Sequence, residues 1–323
     1  MPVQNQHYVP RFILKRFSSG KKPKIWVYDK STDKQFYTNI KNIAAENGFY
    51  NFDTPVGSIT MEPLLSDLEG KTSSITKKIC EHKCLNKLTQ DEASILILFV
   101  SVQFIRTKEY RERFTDLGAQ LKSALMDRGA TEEQARDLTE DEADEHTFIG
   151  LKSFQHVEHV IPQFREKAWI LFEACSGSSF YISNNPVVLH NDNDYGPYGN
   201  LGTSVKGIEI YFPLSSALCL ALYCPTLADQ IMETSQKIKD LDKISPAMTD
   251  RIYSNSEAIR DFSHGLENGI AITVNSENVK MMNSLQVTFS IRYVYDEKGD
   301  FSVVKDMIEH SDEYRGANRA KIC

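Results

Sequence analysis

Hydrophobic and polar positions follow two periods along the chain, and the period changes more than once. Pro10 precedes Phe12, Ile13, Leu14 and Phe17, the spacing of a short amphipathic helix that Ser18-Ser19-Gly20 ends. Ile25-Trp26-Val27-Tyr28 and Gln35-Phe36-Tyr37-Thr38 flank a polar turn and predict a hairpin, with Gly48 to Phe52 as a third strand. From Thr60, Glu62 and Pro63 onward the spacing turns helical, and apolar positions 61, 64, 65, 68, 75 and 79 trace one face. Thr89-Gln90-Asp91-Glu92 opens a second helix whose run from Ile95 to Val102 is apolar on nearly every side, so Ile95, Leu98, Phe99 and Val102 are expected in the core. Residues 107 to 173 keep a helical pattern broken near Gly129 and Gly150, with a last helix through Trp169 to Phe172.

Beyond that point the period falls to two. Ser179 to Ile182, Val187 to Leu189, Ile208 to Phe212 and Leu218 to Tyr223 read as strands around a polar loop, Asn191 to Asn200. Helices are predicted over 226–243 and 246–263, then strands at Ile270 to Val274, Gln286 to Tyr295 and Phe301 to Val304. The pattern predicts an α+β fold: a mixed or antiparallel sheet with a large helical insertion, within one composite domain over 1–323. Its parts are a β-rich segment over 1–59, a helical region over 60–173 and a strand-rich α+β region over 174–323.

Composition narrows the class without choosing a function. The 323 residues are 41% hydrophobic and 25% charged, ordinary globular values. No apolar run reaches the roughly 20 residues that span a bilayer, and the start lacks a charged segment leading into an apolar one, so a cytosolic protein is expected. The six cysteines have no C-x-x-C spacing and read as free thiols. Cys80 and Cys84 lie one turn apart, but His82 points off their face and a tetrahedral zinc site would lack two ligands.

The net charge of -7 is unevenly spread. Residues 1–41 hold nine Lys or Arg against Asp29 and Asp33, whereas eight acids face only Arg136 between Glu132 and Glu145. Local patches steer polyanions even when the total is negative, so the basic segment is a candidate nucleic-acid surface.

Chemistry-bearing positions are few. His7 stands before the basic helix, with Arg11 and Lys15 on it, where a phosphate is favoured. Arg106 projects on an apolar helix face and requires a partner, and Glu62 and Glu69 border the preceding helix's core face. A proton acceptor, a donor and a fixed cation are what phosphodiester cleavage needs; the same residues also suit a purely structural ion-pair network. Ser183-Asn184-Asn185-Pro186 forms a tight turn in which Asn185 is either a turn residue or a ligand contact. His156 and His159, with Glu158, offer a metal corner without a third ligand fixed by spacing, and no metal site is expected. Phosphate-loop, nucleophile-elbow and H-E-x-x-H motifs are absent.

His7-Tyr8-Val9-Pro10, continued by Leu14 and Phe17, resembles the H-Y-V-P-x-x-x-L-x-x-F opening of the DUF4238 family. Glu62 through Glu69 resembles that family's first acidic helix, and Gln103-Phe104-Ile105-Arg106-Thr107 its Q-x-x-R-T segment. Trp169, the turn Tyr181 to Val187 and Phe212-Pro213-Leu214-Ser215 resemble later family elements in order. Asn184 stands where the family pattern has Asp. The resemblance implies boundaries over most of the chain and a shortlist of site residues: His7, Glu62, Glu69, Gln103 and Arg106 as catalytic, with Arg11, Lys15, Ser183 and Asn185 as substrate-binding. The expected function is a nuclease-like phosphodiesterase, a toxin or phage-defence effector; the alternatives are a nucleic-acid or protein binding module and a structural subunit.

Overall fold

The computed structural model describes residues 5–20, 22–54, 57–139, 145–196 and 199–317. It is α+β, built on two mainly antiparallel sheets. The larger has five strands in the order Ala271–Val274, Ala168–Ala174, Leu218–Tyr223, Glu209–Pro213, Val188–His190. Only the first pair is parallel. The smaller has four antiparallel strands in the order Lys34–Asn39, Lys24–Asp29, Tyr293–Asp296, Ile182–Ser183. Its predicted N-terminal hairpin is therefore completed by a strand from near the far end of the sequence, Tyr293–Asp296, and one from its middle, Ile182–Ser183.

The five-stranded sheet is covered on both faces, so Leu218–Tyr223 is buried at every position. Leu171, Ile210, Phe212, Leu220 and Leu222 face the main apolar cluster, which contains the helix Gln90–Ile105. Ile170, Phe172, Tyr211 and Cys219 face the helices Ser256–Asn268 and Ser276–Phe289. Coverage on both sides removes the alternation that marks a half-solvated strand. That explains Trp169 to Phe172, expected as helix but found in Ala168–Ala174: four consecutive bulky residues suit a strand with two buried faces.

The helix Gln90–Ile105 begins with a capping box in which Thr89 and Glu92 satisfy each other's backbone N–H groups. Phe99 is fully buried and packs on Phe12 and Phe212, with ring centroids 5.5 and 6.1 Å away. Two positions of this helix are nearer the surface than expected: Leu98 is 36% exposed and Ile95 only partly buried. Three other expectations fail, the first being the helix over 246–263, which is two helices, Pro246–Ile252 and Ser256–Asn268. Gln286 to Tyr295 divides into the end of the helix Ser276–Phe289 and the strand Tyr293–Asp296, because Asn275 caps a helix whose Val279, Met282, Leu285 and Phe289 share a face. Phe301 to Val304 is not a strand but opens the helix Ser302–His310, with Val304 and Ile308 buried one turn apart.

The buried Lys30 joins distant segments. Its ammonium donates to the carbonyls of Val287 and Ser290, each at 2.7 Å, and of Gly316 at 3.0 Å. Beside it Arg292 grips both oxygens of Asp29, at 2.9 and 2.6 Å, and holds that carboxyl well below the usual carboxylate range. Of the expected acidic run, Glu132–Thr139 is helical, while residues 140–144 lie outside the described residues, as do Lys21 and Cys323. No helix among the described residues is long and apolar enough to cross a membrane.

Candidate functional site

Arg106 lies at the junction of two helices. The helix Gln90–Ile105 ends on it with φ −84° and ψ 1°, and Thr107 immediately caps the helix Lys108–Asp127 by accepting from the Tyr110 N–H. This break turns the Arg106 side chain inward, where it has no exposed surface. Its Nη2 donates to Glu69 Oε1 at 2.8 Å and its Nε to Gln103 Oε1 at 2.9 Å. Gln103 in turn donates through Nε2 to the Tyr8 carbonyl at 2.8 Å, so one amide links Arg106 to the N-terminal signature.

His7 enters the same neighbourhood on the short strand Asn5–His7, paired with Ala45–Asn47. The buried Gln6 fixes that strand, accepting from the Tyr50 N–H at 2.6 Å and donating to Asn51 Oδ1 at 3.0 Å. The Tyr50 hydroxyl lies 3.4 Å from both the His7 and the Arg106 carbonyls. Among the described residues, His7 Nε2 and Arg106 Nη1 are buried with no hydrogen-bond partner.

Charges around Arg106 shift in opposite directions. Burial pulls the His7 imidazole below its ordinary 6.5; a backbone hydrogen bond with Ile40 opposes this, and the Arg11 and Arg106 charges add to it. Glu62 rises above its ordinary 4.5, first through burial and then through Glu69, with Arg106 opposing. Burial disfavours the Arg106 charge, but Tyr50, Glu69 and Glu62 outweigh it and raise its pKa. Burial pushes the Tyr50 phenol up to about 12. The shifts thus lower the imidazole and raise the carboxyl, both within the field of one sealed cation.

The remaining sequence-derived residues divide into two groups. Ser183 and Asn185 are absorbed by their own turn: the Ser183 hydroxyl donates to the Asn185 carbonyl and accepts from its N–H, at 2.9 and 3.1 Å. The Asn185 amide accepts from Thr107 at 3.2 Å and donates to the Phe289 carbonyl at 3.2 Å, locking the turn against the Arg106 junction. These bonds give both residues a role in holding the turn. Arg11 and Lys15 are exposed. Arg11 opens a helix of only four residues, Arg11–Leu14, too short for a strong dipole at its start, and Lys15 opens the 3-10 turn Lys15–Phe17 that follows.

Within the basic segment, Arg16 donates to the Ser73 carbonyl and the Thr76 hydroxyl, and Lys30 is buried, so these two are spent inside the fold. His156 shares a hydrogen bond with Tyr110, whereas His159 is exposed beside Glu158. Among the described residues no three His, Cys, Asp or Glu side chains gather in a metal-holding group.

The residue missed by sequence reasoning is the neighbour of Asn185. Asn184 is 3% exposed, its Oδ1 has no hydrogen-bond partner among the described residues, and it lines a cavity of about 520 Å³ with Tyr8 and Lys108. Its only sequence signal is the departure from Asp at that place in the turn. A second cavity of about 440 Å³ lies on the far face of the five-stranded sheet, lined by Glu209, Tyr211, Tyr223 and His190, and no member of the sequence-derived set lines it.

A family model described as "Protein of unknown function (DUF4238)" matches residues 5–300, nearly the whole chain. Neither a curated protein nor a solved structure matches.

Proposed function

The chain belongs to the DUF4238 family, and on that premise we propose that it is a phosphodiesterase acting on RNA or DNA. One arrangement supports the reading: the Tyr50 hydroxyl lies 3.4 Å from both the His7 and the Arg106 carbonyls, and His7 Nε2 and Arg106 Nη1 have no hydrogen-bond partner among the described residues. His7, whose imidazole burial pulls below its ordinary 6.5, takes the proton of the attacking water or hydroxyl once substrate reaches its buried Nε2. Glu62, holding its proton longer than an ordinary carboxyl, gives one to the leaving oxygen. Arg106 serves as a positioning residue, tied by Glu69 and Gln103, whose field favours the negative charge that develops. A cytosolic toxin or phage-defence effector is the cellular role that fits such chemistry.

Labelled single-stranded and duplex RNA and DNA, incubated with the whole chain in the presence of divalent cations, test this directly. We expect cleavage that falls on the order of 10²-fold or more in His7→Gln and in Glu62→Gln. Cleavage of none of these polymers, or variants as active as the parent, would overturn it. The second reading is a non-catalytic nucleic-acid binder, favoured by the basic residues left exposed on the N-terminal segment: Arg11, Lys15, Lys22, Lys34 and Lys41. A salt-sensitive gel shift without products is its signature.

A further inference from the structure

We propose that the cavity on the far face of the five-stranded sheet binds a small aliphatic diamine, one ammonium seated on the buried Glu209 among aromatic rings and the other at an acidic rim. The inference goes beyond the phosphodiesterase reading, because the helix Gln90–Ile105, which ends on Arg106, packs against the opposite face of that sheet.

The register of the sheet builds the floor of the cavity. Glu209 stands opposite Tyr223 on one neighbouring strand and opposite His190 on the other, and Tyr211, two residues on, projects to the same side. Phe172 joins them: it lies opposite Cys219, which shares a side of its strand with Tyr223. The helices Ser256–Asn268 and Ser276–Phe289 close over this face and leave about 440 Å³, within the size range of small-molecule sites.

Glu209 lines that space as a carboxyl without a counter-ion. It is 8% exposed, and among the described residues no Lys or Arg lines the cavity. His190 Nε2 lies 3.0 Å from Asp192 Oδ1. The Tyr211 hydroxyl donates to Glu209 and shares a hydrogen bond with the Tyr223 hydroxyl at 2.9 Å. Burial pushes the Glu209 carboxyl up, the response of an acid that lacks a cation.

Aromatic rings surround this group. The Phe262 centroid is 5.0 Å from that of Tyr223 and 5.9 Å from that of Phe172, which is 6.4 Å from that of Tyr211. Ring faces attract a cation, the more so when water is excluded. Rings about one carboxyl suit an organic ammonium rather than a metal ion, which takes several oxygen ligands. A carboxylate acceptor favours an ammonium that carries N–H donors over a quaternary one. Ile272 and Met282 also line the cavity and offer apolar contact to methylene groups. Glu257 and Asp261, one turn apart on the helix Ser256–Asn268, line it as well and are exposed, which provides charge for the second ammonium.

Isothermal calorimetry on the full chain with putrescine, butylamine and tetramethylammonium tests this at physiological salt, where charges more than about 8 Å apart are largely screened. We expect putrescine to bind more tightly than either of the others, and Glu209→Gln to weaken it at least about tenfold. Ala258→Arg, at an exposed position in the cavity lining, should place a cation in the site and abolish putrescine binding. Thermal unfolding reports whether each variant is folded; if Glu209→Gln is not, Ala258→Arg decides. The absence of putrescine binding, or putrescine binding unchanged in a folded Glu209→Gln or Ala258→Arg protein, would overturn the inference. Butylamine or tetramethylammonium binding as tightly as putrescine would overturn it too.

Discussion

A guanidinium with no exposed surface must be neutralised where it lies, and Arg106 shows what that does to its neighbours. Glu69 takes one Nη and Gln103 the Nε. Arg106→Met would strand the Glu69 carboxylate against an apolar side chain. Because Glu69 remains 27% exposed and can rehydrate in part, the loss should sit near the low end of the roughly 3–5 kcal/mol seen when buried pairs are broken, about 3 kcal/mol by denaturant unfolding. An unchanged unfolding midpoint would show that the pair contributes little. His7 gives a pH signature of known sign. Its folded pKa lies below the unfolded 6.5, so as pH falls through 6.5 the unfolded chain takes up the proton first and stability declines. His7→Gln should flatten that decline in unfolding curves between pH 7 and 5. On the proposed mechanism the lowered His7 and raised Glu62 enlarge the share of molecules carrying a neutral imidazole and a protonated carboxyl, which predicts a bell-shaped pH–rate profile whose acid limb is lost in His7→Gln.

At the scale of elements, legibility followed how strongly a segment's surroundings imposed one period. The helix Glu62–His82 has one buried side, with Leu65, Ile75 and Ile79 on it, and its spacing announced it. The hairpin Lys24–Asp29 with Lys34–Asn39 was legible because its outer strand is largely exposed and its inner strand is not. Trp169 to Phe172 was misread because a strand buried on both faces loses its alternation. The helix Ser302–His310 was misread because Phe301 to Val304 taken alone suits either state, and only Ile308, one turn on, shows the helical face. For the site, sequence placed Arg106 on a core face with Glu62 or Glu69 as partner; the structure chooses Glu69 and joins Gln103 to the pair. It chose Asn185 over Asn184, because which side of a two-residue turn faces a cavity depends on strand pairing. Ser183 opposes Val294 in that pairing, a register that no local pattern encodes.

For the whole molecule, the four-stranded sheet ties the two ends of the sequence together. Lys24–Asp29 lies between its own hairpin partner and Tyr293–Asp296, and Lys30 reaches carbonyl groups 257, 260 and 286 residues away. During synthesis at roughly 5–20 residues per second, the hairpin therefore emerges on the order of tens of seconds before the strand that completes its sheet exists. Throughout that interval one edge of Lys24–Asp29 is bare, and the position of Lys30 has no acceptors. An open edge of this kind is a template for pairing with other chains. Ribosome-stalled chains ending near residue 285 should accordingly be cut by protease within residues 20–40, whereas released full-length protein resists; equal protection in both would mean that the hairpin folds without its distant partner. Production of this protein is then limited less by the stability of its finished fold than by the wait of its first strands for its last.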